Sequence, residues 1–343
     1  MIRVLAIAML AFGALIIVAR NLPRPEPAVG RTAAAERPTT EAEREEPSVA
    51  EGIQAMILGA AQDGGVPHLG CTQELCETAL QDLRKVVRVS SLGLIVPGGG
   101  GLDRLFLVDA TPDIRSQVAS ALGGIGRRRR PAGLPVDGIL LTHAHIGHYT
   151  GLMYLGKESM DARRIPVYAS ARMAAFLEAN SPWKRLVSEE NIALRIIRPG
   201  QPIQLLSDLT VEPLQVAHRE EESDVLGFLI EGPRKRLLYI PDIDAWGRWD
   251  RDIGTLVASV DVAILDGTFF STGELPGRSL EEIPHPFIIQ TMDRLQALVE
   301  AGHRVIFTHL NHTNPALEPG TAQRKQIESR GFEVAVEGMR VEL

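Results

Sequence analysis

The sequence predicts one α/β domain in which two β-sheets pack together and carry helices on their outer faces. Two observations predict it. From Gly52 onward, short apolar runs alternate with helix-like segments, with no break in composition between the two halves of the chain. Several of those apolar runs also end in a histidine or an aspartate, the pattern of an α/β scaffold that gathers a site at the C-terminal ends of its strands.

The elements follow in order. "IQAMIL" (53–58), "LGLIV" (92–96) and "RLFLVDA" (104–110) read as strands, the last two nearly all apolar and so buried. "TPDIRSQVASAL" (111–122) reads as a helix, with Thr111 as N-cap and Pro112 at the first helical position. "DGILLT" (137–142) is a strand that runs into "HAHIGH", and "GHYTGLMYLG" then starts a helix. "IPVYAS" (165–170) is a strand and "ARMAAFLEA" (171–179) a helix. The second half repeats the rhythm with strands at 209–218, 226–232, 236–242, 260–267 and 304–310. A helix at 287–302 precedes the last of these and ends at Gly302. No short tandem repeat interrupts the pattern.

The first fifty residues are of another kind. One basic residue, Arg3, precedes an apolar run from Val4 to Ala19. As a helix that run spans about 24 Å, short of a ~30 Å hydrocarbon core, so residues 1–20 suit a signal peptide or a short membrane anchor. Residues 21–50 are rich in Pro, Ala, Glu and Arg and hold too few large apolar residues to fold, so they read as a flexible linker. This organisation places the folded domain at 51–343 and its body outside the cytoplasm, periplasmic or tethered to a membrane through the N-terminal segment if that is uncleaved. A net charge of -7 argues against a nucleic-acid partner held on a broad basic surface. The basic run "RRRR" at 127–130 reads as a solvated loop.

The chemistry concentrates at strand ends. His143, His145 and His148 follow one strand and account for three of the nine histidines. His218, Asp242 and His309 each end another apolar strand, as does Asp109. His309 is preferred over His312 because it comes directly off its strand. Imidazole and carboxylate together suit zinc, iron or manganese; they suggest neither calcium nor an iron–sulfur cluster.

"VDATPDI", "LLTHAHIGHYTGL", "VAH", "LLYIPDID" and "FTHLNHTNP" stand in an order that resembles the metallo-β-lactamase-fold hydrolases. Within them, "LGAAQDGGVPHLGC", "DATPDI", "LDGTFF" and "HTNP" resemble coenzyme PQQ synthesis protein B and its relatives. The resemblance covers about residues 52–343. It implies an αββα sandwich of two mixed sheets with a site at the sheet edges. It implies that His143, His145 and His218 bind a first metal, and that His148, Asp242 and His309 serve a second, with Asp242 able to bridge. Asp109 would orient the histidine loop from behind. Asp242, His148 and Asp266 would carry the catalysis, with Asp266 and Thr268 near substrate. Zinc, as one or two ions, is the implied cofactor, with iron or manganese as the alternative.

One position departs from the family pattern His-x-His-x-Asp-His. Gly147 stands where the aspartate would be, and it offers no side chain. The expected activity is hydrolysis of a small-molecule ester, amide or phosphoester by a metal-bound hydroxide. An iron-dependent oxygenase of the PQQ synthesis protein B type and a non-enzymatic metal-binding protein are the alternatives.

Cys71 and Cys76 are the only cysteines. A disulfide, a structural zinc shared with His68, and free buried thiols are all open to them, and export favours the disulfide. The "QDGG" stretch is not a phosphate loop, since it lacks the Walker Lys and Ser/Thr. It reads as a tight turn beside the metal cleft, with Asp63 and His68 near the mouth. His285, in "IPHPF", starts a helix and is placed either in the same cleft or in a capping or surface role.

Overall fold

The computed structural model describes residues 52–98, 103–125, 134–274 and 284–343. The expected signal or anchor, the linker and the basic run at 127–130 lie outside these residues. Among the described residues, no helix is long and apolar enough to cross a membrane.

The chain folds as β1 (Gln54–Gly59), α1 (Glu74–Gln81), β2 (Ser91–Val96), β3 (Arg104–Val108), α2 (Ile114–Ile125), β4 (Gly138–Leu140) and α3 (Ile146–Tyr149). It continues through β5 (Ile165–Ala169), α4 (Ala171–Ala179), α5 (Trp183–Ser188), β6 (Ile192–Ile196), β7 (Ile203–Leu206), β8 (Leu209–Gln215) and β9 (Leu226–Glu231). The rest is β10 (Arg236–Ile240), α6 (Ile253–Ala258), β11 (Val262–Asp266), α7 (Ile288–Glu300), β12 (Arg304–Thr308), α8 (Ala322–Ser329), β13 (Glu333–Val334) and β14 (Arg340–Glu342).

Two seven-stranded sheets result, in the orders β14-β1-β2-β3-β4-β5-β6 and β13-β12-β11-β10-β9-β8-β7. Both are mixed: β1–β2–β3 and β8–β9–β10 pair antiparallel, whereas β3 to β6 and β10 to β13 run parallel. Alternate residues of a strand face opposite ways, and the three cores follow that parity. Ile57, Leu94, Val108 and Phe228, Tyr239, Ile264 meet between the sheets. Leu58, Leu107 and Ile139 face outward onto Ile114, Met173 and Leu177 of the helices α2 and α4. Leu238, Leu265 and Phe307 do the same against Ile253, Met292, Leu295 and Ile327 of α6, α7 and α8. Each fully buried aliphatic or aromatic side chain contributes about 1.5–3 kcal/mol by leaving water. This is the expected αββα sandwich.

Several elements differ in extent from their expected bounds, for local reasons. The strands at 104–110 and 304–310 stop at Val108 and Thr308. The residues that follow, Asp109 and His309, take left-handed backbone conformations with φ of 69° and 60°. Such a turn costs a side-chain-bearing residue about 1–2 kcal/mol and swings it out of the ladder. The helix expected from Gly147 onward is only α3 followed by a 3₁₀ segment, Thr150–Leu155. Ala110 interrupts it: its N–H donates to the His148 carbonyl at 2.9 Å and its carbonyl accepts from Gly151 N at 2.8 Å. α2 begins at Ile114, because Thr111 caps a preceding turn by accepting from Asp113 N at 3.0 Å. Gly302 ends α7 region as expected, with φ of 104°.

Cys71, in the loop after β1, forms a disulfide with Cys76 in α1. That corrects the structural-zinc and free-thiol alternatives, since each thiol is used by the other. His68, the third candidate ligand, stacks instead on His312 with ring centroids 4.2 Å apart. Closing so short a loop restricts the unfolded chain by about 2 kcal/mol. Cys71→Ser with Cys76→Ser is expected to lower unfolding free energy by about that amount in a urea titration. An unchanged midpoint would refute a stabilising bridge.

Candidate metal centre

The apolar strands push their terminal polar residues to one edge of the sandwich. His143 and His148 follow β4, His218 follows β8, Asp242 follows β10, and His309 follows β12. All five are buried, as are Asp109, Asp266, Thr268 and His285. His145 is half-buried at the rim.

Each buried ring is held by one nitrogen and presents the other. His148 Nδ1 donates to Asp109 Oδ2 at 2.7 Å, which turns Nε2 inward. His218 Nδ1 donates to Asp244 Oδ1 at 2.8 Å. His143 Nδ1 lies 3.0 Å from Thr142 Oγ1, and His309 Nδ1 lies 3.0 Å from Thr268 Oγ1. Asp109 also accepts from Thr142 N at 2.8 Å, so one carboxylate fixes both ends of the histidine loop. Tethering one imidazole nitrogen to fix the tautomer and aim the other is what metal-ligating histidines require.

Inward atoms gather on two sides of Asp242 Oδ2, and Asp242, Asp266, His285 and His309 form a further set of donors within 4.8 Å of one another. On the first side, Asp242 Oδ2 is 3.3 Å from His143 Nε2, 3.2 Å from His218 Nε2 and 3.8 Å from His145 Nδ1. Donors about 2.0–2.2 Å from a tetrahedral zinc stand about 3.4 Å apart, so this spacing fits an ion. On the second side, Asp242 Oδ2 is 4.0 Å from His148 Nε2 and 3.9 Å from His309 Nε2. His148 Nε2, His309 Nε2 and Asp242 Oδ1 are buried and lack any hydrogen-bond partner among the described residues. Buried polar atoms are nearly always satisfied, so converging orphans are the mark of a site built for something else. The donor set therefore fits the metal that the sequence implied, with His143, His145, His218 and Asp242 able to hold one ion.

Electrostatics agree. Burial pushes the Asp242 carboxyl up, but His218, His309 and His285 around it hold it well below the usual range. Burial pushes His143 well down, aided by His148. Burial also opposes a charge on His148, yet Asp109 and Asp63 outweigh it and raise that ring well above its ordinary value.

The structure places three further residues that the sequence singled out. Asp266 was expected beside substrate. It is fully buried, accepting from Ile243 N at 3.0 Å, Thr268 N at 2.8 Å and His285 Nδ1 at 2.9 Å, and its carboxylate lies within 4.8 Å of donor atoms of Asp242, His285 and His309. Thr268, also expected near substrate, is buried behind His309 and His285. His285 has neither a capping nor a surface role: it lies 6% exposed, with Nδ1 3.4 Å from Asp242 Oδ1. Burial disfavours its charge, but Asp266 and Asp242 raise it to about 9. His312 sits apart with His68, leaving His309 in the centre. Asp244 and Thr142 escaped notice; the second aspartate of "PDID" was the available signal for the first. A cleft of about 260 Å³ opens over the centre, lined by Asp63, His143, His145, Ile146, Arg219 and Glu221 among others.

Known proteins align with this arrangement. A family described as a beta-lactamase superfamily domain matches residues 104–310. Coenzyme PQQ synthesis protein B of Methylobacterium nodulans is 28% identical over 314 residues, covering 85% of this chain and 100% of that protein. Its namesake in Methylorubrum extorquens strain PA1 is 29% identical over 312 residues, with the same coverage of 85% and 100%. Among solved structures, Zn(2+)-bound PqqB from Methylobacterium extorquens gives a TM-score of 0.68 at 24% identity, covering 84% of this chain and 100% of that one. A diphosphatase of the PhnP family gives 0.58 at 19% identity, covering 85% and 97%. These structural likenesses establish the fold as that of the metallo-β-lactamases. The family match spans more than half of the sequence and takes in His143, His145, His148, His218, Asp242 and His309, so the chain belongs to the beta-lactamase superfamily.

Proposed function

We propose that the chain is a metal-dependent hydrolase of a small-molecule ester, amide or phosphoester. One observation carries the reading: inward-facing donors gather on both sides of Asp242, tethered from behind, and His143 and His145 among them line an open cleft. A metal bound by these donors supplies Lewis acidity and lowers the pKa of water. His143, His145, His218 and Asp242 would hold one ion, with His148 and His309 disposed for a second. Asp109, Asp244, Thr142 and Thr268 keep the rings aimed, which removes reorganisation from the reaction. His285, positioned by Asp266, holds a proton beside Asp242 and can pass it to a leaving group. Ile146 and Arg219 at the cleft mouth offer substrate an apolar contact and a positive charge.

The name of the relatives, coenzyme PQQ synthesis protein B, supports a second reading in cofactor maturation, for which we propose an iron-dependent oxygenase. Metal analysis of protein purified without added metal, followed by trials on nitrophenyl esters and phosphodiesters, separates the two. Zinc with hydrolysis supports the first. Iron with oxygen-dependent turnover supports the second. Bound metal without turnover of either kind would leave a metal-binding protein. Export to the periplasm, or a tether through residues 1–20, belongs to the same proposal, and fractionation tests it.

A further inference from the structure

Gly147 leaves the histidine motif without a carboxylate, and the structure fills that place from elsewhere. Asp63 lies in the loop after β1, distant in sequence from the motif. A Cβ built on Gly147 would fall 2.6 Å from Asp63 Cα and closer still to Asp63 Oδ1. The space that a side chain at 147 would enter is therefore taken by Asp63. Its Oδ1 is buried and has no hydrogen-bond partner among the described residues. It faces His148 Nε2 at 3.4 Å and His309 Nε2 at 3.9 Å, the two imidazole nitrogens that are themselves buried and unpartnered. All three donors lie within 4.8 Å of one another.

We propose that Asp63 is a ligand of the second metal position, with His148, His309 and Asp242, in place of the aspartate that Gly147 cannot supply. A hard carboxylate beside two imidazoles suits a divalent cation such as zinc or manganese. From Asp63 and Asp242 to the two imidazole nitrogens the spacings are 3.4–4.0 Å, in the range of ligands around one ion. The same geometry explains the glycine. Any larger residue at 147 would push the Asp63 backbone off the site, so the two positions depend on each other. The alternative is a plain ion pair, with a protonated His148 held between Asp109 and Asp63. That alternative leaves the buried, unpartnered His309 nitrogen unexplained.

This inference rests on the metal-dependent reading above, but its readout is metal stoichiometry rather than turnover. The chelator-stripped, disulfide-intact protein is titrated with Zn²⁺ by calorimetry, and bound metal is counted after dialysis. Two equivalents are expected. Asp63→Asn, which keeps shape and removes charge, should retain one tight equivalent and bind the second about 100-fold or more weakly. Gly147→Ala, which removes no donor, should weaken the same equivalent by displacing the loop. Near-UV circular dichroism verifies that each variant is folded; Asp63→Asn alone decides if Gly147→Ala is not. A variant Asp63→Asn that still binds two equivalents with unchanged affinity overturns the assignment. A wild type that binds only one equivalent also overturns it, while leaving the hydrolase reading standing. A wild type that binds no metal overturns both.

Discussion

Asp242→Ala is expected to empty the centre of metal. Its Oδ2 lies within 4.0 Å of an inward nitrogen on each of His143, His145, His148, His218 and His309. Losing a residue that merely orients a ligand costs about 10–100-fold in metal affinity. Losing a donor shared by both positions should exceed that range, and hydrolysis should fall to background. The variant also removes the buried negative charge that His218, His285 and His309 gather around. Metal content after dialysis is the measurement. A variant that keeps its full metal complement and activity would mean that the donors are arranged around something other than an ion.

His285→Gln should separate proton delivery from metal binding. Glutamine can still donate a hydrogen bond to Asp266, but it cannot deliver a proton. A positioned general acid typically contributes about 10²–10⁴-fold. That loss should appear in kcat, with metal content intact and KM little changed. It should be largest for substrates whose leaving group must be protonated and small for a nitrophenolate, which leaves as a stable anion. Equal losses for both substrates would refute the proton-donor role. Loss of a metal equivalent would instead make His285 a ligand, since its Nδ1 also lies 3.4 Å from Asp242 Oδ1.

How much was legible beforehand follows from where information sits in the chain. His143, His145, His148, His218, Asp242 and His309 could be picked out because each breaks an apolar run, and burying such a residue demands a reason. The central strands were readable on the same ground. The edge strands β6, β7, β13 and β14 were missed because they are short and only partly buried, so no clean apolar run marks them. Asp63 was placed near the cleft but not among the donors. Its relation to Gly147 exists only after β1 and β4 have been brought into one sheet, and no spacing along the chain encodes it. Asp266 could be singled out as an aspartate at a strand end, but its three hydrogen-bond partners, His285 among them, could not be read from spacing.

The centre draws its donors from both sheets: His143 and His148 emerge beside β4 of one, His218, Asp242 and His309 beside β8, β10 and β12 of the other. Neither half of the chain alone is a binding unit. An ion held there would have affinity for the docked sandwich and little for its separated layers, so occupancy and folding are thermodynamically linked. At a free concentration a hundred times its dissociation constant, such a ligand adds about 2.7 kcal/mol to the folded state. The seam that positions the chemistry is also a fastener, and metal supply in the compartment where the protein works becomes a setting for how long the two layers stay together.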